Sequence, residues 1–472
     1  MAPVKSSGAA TVIATIVGAI GFIVVVLMVG IEYSLIGIVV LIATFLLLRF
    51  PVAAVYVLVV LLPFNGLITQ VTNGSAVFGL YGAAKDFILF GMLIIAMISG
   101  RVRRVPTTIV ALVLATVILA TASALFTPDL VQASYGWRND YEPLLLLIAI
   151  PALVEFKSVR SILATVIVVG QISAAIAVLT WTRGLQWLYD IGRLPVASPD
   201  DFPTALFSSG NQWPRAFSPY VAPNEMAVVM SVLLAIVWLL PKVRVPARLA
   251  LSALPITAIV LSGSRSALLG AIVVGCVLAA RAIHWRSTLL SVSFLIMAGF
   301  GVIFGAALYI TNQLGDGGDP SVGGHSASLE EGLRIMAQNP LGVGLGRVGP
   351  RARALESSYH VESFWLLIGI ESGILVLALF VILMGYLARR AVLAKTNLGF
   401  LGAAALAASL VSQLVLPTLQ EGAVSFLLWT VVGLSIVALR HEKELAVGVP
   451  IEGLDHLGHR DVETTNDRYR RS

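Results

Sequence analysis

The chain has 472 residues, of which 58% are hydrophobic and 12% charged, and a formal charge of +6. Soluble domains carry about 25% charged residues, so a water-soluble globule is excluded. In so apolar a chain an excess of Lys and Arg reports membrane topology, and no nucleic-acid partner is expected.

Apolar runs near the roughly 20 residues that a bilayer-crossing helix needs recur along the whole chain. The first, residues 9–30, is longer than a signal-peptide core and has no small-residue cleavage site behind it, so it is expected to stay as an anchor. Further runs centre on residues 33–48, 52–68, 80–99, 107–126, 141–154, 161–181, 225–240, 248–263, 266–280, 288–310, 363–387, 398–416 and 424–439. The predicted fold is all-α, a polytopic transmembrane helical bundle of about fourteen spans, with about twelve as the alternative count. Residues 1–440 make the membrane domain, and the charged stretch 441–472 is read as a disordered cytoplasmic tail.

Basic residues mark alternate loops: Lys5, Arg49, Arg101 with Arg103 and Arg104, Lys157 with Arg160, Lys242 with Arg244 and Arg248, Arg281 with Arg286, Arg389 with Arg390, and Arg440. The positive-inside rule puts these loops and both termini in the cytoplasm of a multi-pass protein of a bacterial inner membrane. Residues 127–140, 182–224 and 311–361 then face out. The last two, of roughly 40 and 50 residues, are unusually long for a bundle with short connections, and function is expected there. Within the spans, Gly270 with Gly275 and the run Leu401–Leu410 suit close helix packing. Cys276, the single cysteine, lies in an apolar run, which leaves no intrachain disulfide and no cysteine-based metal centre.

Three polar blocks interrupt this pattern. The first is Arg215 with Pro223-Asn224-Glu225, where the second long loop re-enters the membrane. Asn224 suits a helix N-cap. A guanidinium beside a helix N-terminus makes an anion site, since both offer N–H donors to phosphate oxygens; the alternative is a surface arginine paired with an acid such as Asp201. The second is Ser264-Arg265, a charge between two apolar runs with almost no loop to carry it into water. Lys85 with Asp86, and Arg138, are weaker instances of the same kind, and Lys85 and Asp86 neutralise each other on the alternative reading. The third runs from the turn Pro340–Gly346 through His360 and Glu362 to Glu371-Ser372-Gly373. Its glycines lack the Lys-Ser or Lys-Thr of a nucleotide loop, so a tight turn is the better reading. His325, His360 and Glu362 are the groups there suited to proton transfer, the histidines being solvated loop residues on the alternative reading.

These blocks, in this order, resemble the O-antigen ligase and polymerase family: an arginine followed by Pro-Asn, a Ser-Arg pair opening a span, a Pro-Leu-x-Gly-x-Gly-x-Gly turn, and a polar motif leading to Glu-x-Gly. The resemblance covers roughly residues 200–390. It implies a multispanning glycosyltransferase-like bundle that transfers a glycan from a polyprenyl diphosphate donor to a glycan or lipid acceptor on the outer face of the membrane. Arg215 and Arg265 then take the donor diphosphate, with Asn224, Arg138, Lys85 and His325 as further substrate-binding candidates. The family histidine aligns with Glu362, and His360 lies two residues earlier. The base is Glu362 or, with a shifted register, His360. The resemblance implies no cofactor, and a metal-independent displacement is expected, Asp200-Asp201 and Asp316 with Asp319 being solvated loop charges. A lipid-linked oligosaccharide flippase or other transporter is the rival; its ionisable groups belong at mid-membrane on broken helices.

Overall fold

The computed structural model describes residues 49–72, 76–194, 202–203, 206–207, 214–282, 320–349, 352, 359 and 361–447, with 42, 45 and 198 besides; in 69–83 and 320–326 only the backbone is described. The spans expected at residues 9–30 and 288–310, and most of 33–48, lie outside the described residues.

Among the described residues there are fifteen α-helices. In chain order they are α1 Pro51–Leu61, α2 Asn65–Thr72, α3 Ala76–Ile98, α4 Thr107–Ser123, α5 Leu130–Asp140, α6 Leu146–Leu153, α7 Phe156–Asp190, α8 Pro223–Leu239, α9 Val245–Leu261, α10 Arg265–Ala282, α11 Pro320–Gln338, α12 Phe364–Ser372, α13 Ile374–Val392, α14 Asn397–Ser412 and α15 Gly422–Val447. The described part of the chain is all-α; its extended pairing is limited to two isolated bridges, Phe207 with Pro214 and Val348 with Tyr359. Among the described residues, six helical stretches, two of them running on through 3₁₀ turns, are long and apolar enough to cross a membrane, and four shorter apolar ones accompany them.

The helices are sorted inside out. Leu114 and Ile118 of α4, Val168, Ile172 and Leu179 of α7, Ile256 and Val260 of α9, and Val381 and Ile382 of α13 are exposed. Thr116, Ser173, Ser231 and Ser252 are buried, each returning its hydroxyl to a carbonyl four residues back. Apolar outside and self-satisfied polar inside is the arrangement that a lipid solvent selects, and the chain is an integral membrane protein. Helices α8, α14 and α15 are buried along most of their length and form the centre; α10 packs on α8 and α14, α6 on α15, α13 on α14, and α9 on α7 and α8. Of the two glycines expected at close contacts, Gly270 is one, for a Cβ there would lie 2.5 Å from the Ala408 carbonyl oxygen, whereas Gly275 faces open space.

Several expected boundaries move. The span expected at 363–387 is two helices, because Gly373 (φ +87) breaks the chain between α12 and α13. Residues 127–140 hold α5, and 311–361 hold α11. Helix α7 has 35 residues, more than the roughly 30 Å hydrocarbon core accommodates at about 1.5 Å each. It therefore leaves the bundle, breaks at Gly184, and packs Leu185 and Leu188 against Leu206 and Phe217 of the following loop. Helix α15 continues past Arg440 to Val447, and residues 448–472 lie outside the described ones.

The two ends of the bundle differ in charge. At one, Arg281 donates to the carbonyls of Ala394 and Lys395, Arg440 to those of Pro151 and Val154, and Glu442 accepts the amides of Lys395 and Thr396. The 3₁₀ turn Arg101–Arg104 packs there against α6. The opposite end gathers the first turns of α8, α10, α12 and α15 and all three polar blocks.

Candidate active site

The segment before α8 is pinned at both edges. Arg215 N–H donates to the Leu206 carbonyl at 2.8 Å, and Ala216 N–H to that of Leu261, the last residue of α9, at 2.9 Å. The Arg215 guanidinium is thereby laid over the α9–α10 turn. Its Nε donates to the Ser262 carbonyl at 2.5 Å and an Nη to Asn224 Oδ1 at 2.7 Å. Both acceptors are neutral oxygens, so they fix the planar group without cancelling its charge. Burial pushes Arg215 down to about 10, which leaves it cationic at neutral pH. Asn224 is not the N-cap expected of it: α8 starts at Pro223 with Ala222 as cap, and Glu225 reaches back to the Val221 amide at 2.9 Å. Its side chain is thus left to hold Arg215. Asp201 lies outside the described residues.

The α9–α10 turn that receives Arg215 is tight. Gly263 (φ +62) reverses the chain, Ser262 Oγ accepts the Ser264 amide at 3.1 Å, and α10 begins at Arg265, which is exposed. Arg215 and the base of Arg265 thus share one turn, fifty residues apart in sequence.

Helix α14 carries the connection onward. Ser412 Oγ donates to the Ser266 carbonyl at 3.1 Å, while the next carbonyl, of Gln413, accepts Phe364 N–H at 3.0 Å and Ser363 Oγ at 3.3 Å. Gln413 is fully buried, its amide closing on Thr418 Oγ1 and the Leu419 amide. Glu362, half-buried and two residues before α12, has its own N–H bonded to Ser328 Oγ of α11 at 3.1 Å. His360 and the side chain of His325 lie outside the described residues.

The glycine turn is a clamp on Glu371-Ser372-Gly373. Val343 N–H and Gly344 N–H donate to the carbonyls of Ile370 and Glu371 at 2.8 and 3.1 Å, and Ile374 N–H donates to that of Pro340 at 2.9 Å. A Cβ on Gly342 (φ +95) would fall 2.4 Å from the Glu371 carbonyl, which is why the turn needs glycine. Buried Glu371 accepts the Val348 amide at 2.9 Å and lies beside buried Asp140 of α5, while Tyr141 and Ser372 hydroxyls meet at 2.6 Å. This clamp fits the expected tight turn, and it ties the first polar loop to the third.

Lys85 and Arg138 fall in a separate cluster at the same end. Lys85 Nζ is 3.2 Å and Arg138 Nε 2.6 Å from the two Asp86 oxygens; buried Glu142 lies beside them, and Lys85 stands 4.5 Å from the Phe426 ring centroid. Two cations and two carboxyls brace α3 against α5 and α15.

Sequence reasoning missed Gln413 and Ser412, whose signal was a polar pair inside an apolar run. It also missed Arg193, which is buried and donates to the carbonyls of Gly66, Pro219 and Tyr220, stapling down the loop that carries Arg215. None of the curated proteins matches the chain. Residues 250–381, the stretch that carries Arg265, the glycine turn and Glu362, match the family model described as O-antigen ligase.

Proposed function

We propose that this membrane protein is a glycosyltransferase of surface-polysaccharide biosynthesis that moves a glycan from a polyprenyl diphosphate donor to a glycan or lipid-linked acceptor hydroxyl. The carrying observation is that Arg215 lies on the turn that begins Arg265, and that the same end is wired through Ser266, Ser412 and Gln413 to the segment of Glu362. Because the opposite end holds the basic loops, this end belongs outside the cell by the positive-inside rule.

In this reading Arg215 and Arg265 take the donor diphosphate. Fixed guanidinium groups stabilise the charge that grows on the leaving diphosphate, so no general acid is needed. The acceptor oxygen attacks the anomeric carbon from the opposite side, the sugar–phosphate C–O bond breaks, and its electron pair stays with the diphosphate. The hydroxyl proton passes to Glu362 or, with the shifted register, to His360, and the anomeric configuration inverts. Asn224 orients Arg215, and His325 is a further contact for the substrate. Lys85 and Arg138 enter as charges that brace the neighbouring wall.

The test is transfer from a purified polyprenyl diphosphate glycan by the protein in lipid nanodiscs, with donor binding measured separately. Wild type should transfer and invert, and Arg265→Lys should fold, bind donor weakly and transfer little. Donor movement across the bilayer without any new glycosidic bond would return the transporter reading to first place.

A further inference from the structure

At about 100° per residue, positions 327–338 of α11 present three faces. One faces the protein: Ser328 and Ile335 are buried, and a Cβ on Gly332 would meet Leu366 and Val361 at 2.8 and 3.3 Å. A second is charged, with Glu330, Glu331 and Arg334 exposed and Arg334 bonded to Glu331 and Gln338. Between them, one turn apart, Leu329 and Leu333 stand 46% and 48% exposed, and exposed Ala337 continues their line. A bare leucine face flanked by a protein-bound face and a charged one fits a helix lying along a membrane surface.

The apolar line does not end with the helix. It continues into Leu341, 72% exposed, beside which the Pro340 carbonyl takes the Ile374 amide at 2.9 Å. Ile374 and Leu375 are themselves 54% and 59% exposed, and they open α13, one of the helices long and apolar enough to cross a membrane. The leucine face is therefore continuous with a lipid-facing flank.

We infer that α11 is a membrane-docking helix: Leu329, Leu333 and Ala337, continued by Leu341, bed in the boundary between headgroups and acyl chains, and Glu330, Glu331 and Arg334 stay in water. The inference deepens the transferase reading at one point and rests on it only there. Ser328, on the protein face, holds the Glu362 amide, so lipid contact sets the depth at which Glu362 meets an acceptor.

The experiment uses the full chain with Cys276→Ser, carrying Leu333→Cys or Glu331→Cys, spin-labelled in nanodiscs of phosphatidylethanolamine and phosphatidylglycerol. The label at 333 should be relaxed more by membrane-soluble oxygen than by a water-soluble nickel chelate, and the label at 331 the reverse. Equal nickel access at both positions would make α11 a water-borne helix and overturn the inference. A label at 333 shielded from both agents, or broadened by a second label, would assign the face to a protein neighbour or a second copy and overturn it equally. Leu329→Gln with Leu333→Gln keeps helix-forming residues, and transfer should fall several-fold while thermal stability holds. Unchanged transfer would remove the link to Glu362. Since the labelling reads depth alone, an inactive wild type with the expected labelling would count against the transferase reading only.

Discussion

Arg215 Nε lies 2.5 Å from the carbonyl oxygen of Ser262, so a guanidinium from the loop before α8 is fastened to the turn from which Arg265 starts α10. The contact orients Arg215 through the neutral oxygens of Ser262 and Asn224. Arg215→Lys keeps the charge but loses the planar fork that reaches Ser262 and Asn224 together. A lost hydrogen bond to a charged group costs about 1.5–3 kcal/mol, which is roughly ten- to a hundredfold in donor affinity. Donor titration of the purified variant measures it; unaltered affinity would make Arg215 a structural charge.

The two candidate bases separate by substitution. With Glu362 as base, Glu362→Gln abolishes transfer and spares donor binding, since an amide keeps the shape and cannot accept the proton, while His360→Ala stays mild. With the shifted register the order reverses. Full transfer by both single variants would remove both from the mechanism.

The Asp140–Glu371 pair makes a prediction about stability. Glu371→Gln supplies a permanent N–H toward Asp140 and keeps an oxygen for Val348, so its melting temperature should stay within a few degrees of wild type. Glu371→Ala leaves Asp140 and the Val348 amide buried with a partner removed and should cost about 3–5 kcal/mol. Equal melting of the two variants would show that the pair does not hold the clamp.

Gly342→Ala tests the clamp from its other side. The added Cβ meets the Glu371 carbonyl at 2.4 Å at a positive φ, so the variant should lose more than about 1 kcal/mol. Gly275→Ala, which faces open space within a helix, should be neutral or slightly stabilising. Thermal unfolding in detergent compares them.

Orientation is checked with cysteines introduced at Arg103 and Glu330 in a Cys276→Ser background, since both positions are exposed. An impermeant thiol reagent added to intact cells should label position 330 and not 103. The opposite pattern would invert the topology and move the site to the cytoplasm. Transfer should also survive chelation of divalent cations, and its loss with recovery on adding magnesium would bring a metal into the mechanism.

Composition and hydropathy were enough to read a membrane-embedded helical bundle, because a lipid solvent demands long apolar helices and leaves few alternatives. Charge spacing likewise made the basic loops legible, and the order of Arg215, Arg265, the glycine turn and Glu371 made the resemblance to a family legible, since each lies at a helix end or turn that the local sequence marks. What lay beyond the sequence is how those ends meet. Hydropathy reads 363–387 as one span, and only packing against the Pro340–Gly346 turn explains the break at Gly373. Asn224 carries every local signal of an N-cap, yet a tertiary contact with Arg215 claims its side chain. Gln413, Arg193 and the Asp140–Glu371 pair join segments tens to hundreds of residues apart. Periodicity and spacing report what each segment does toward lipid or water, and they carry no information on which buried polar group will satisfy which other; only the folded chain decides that.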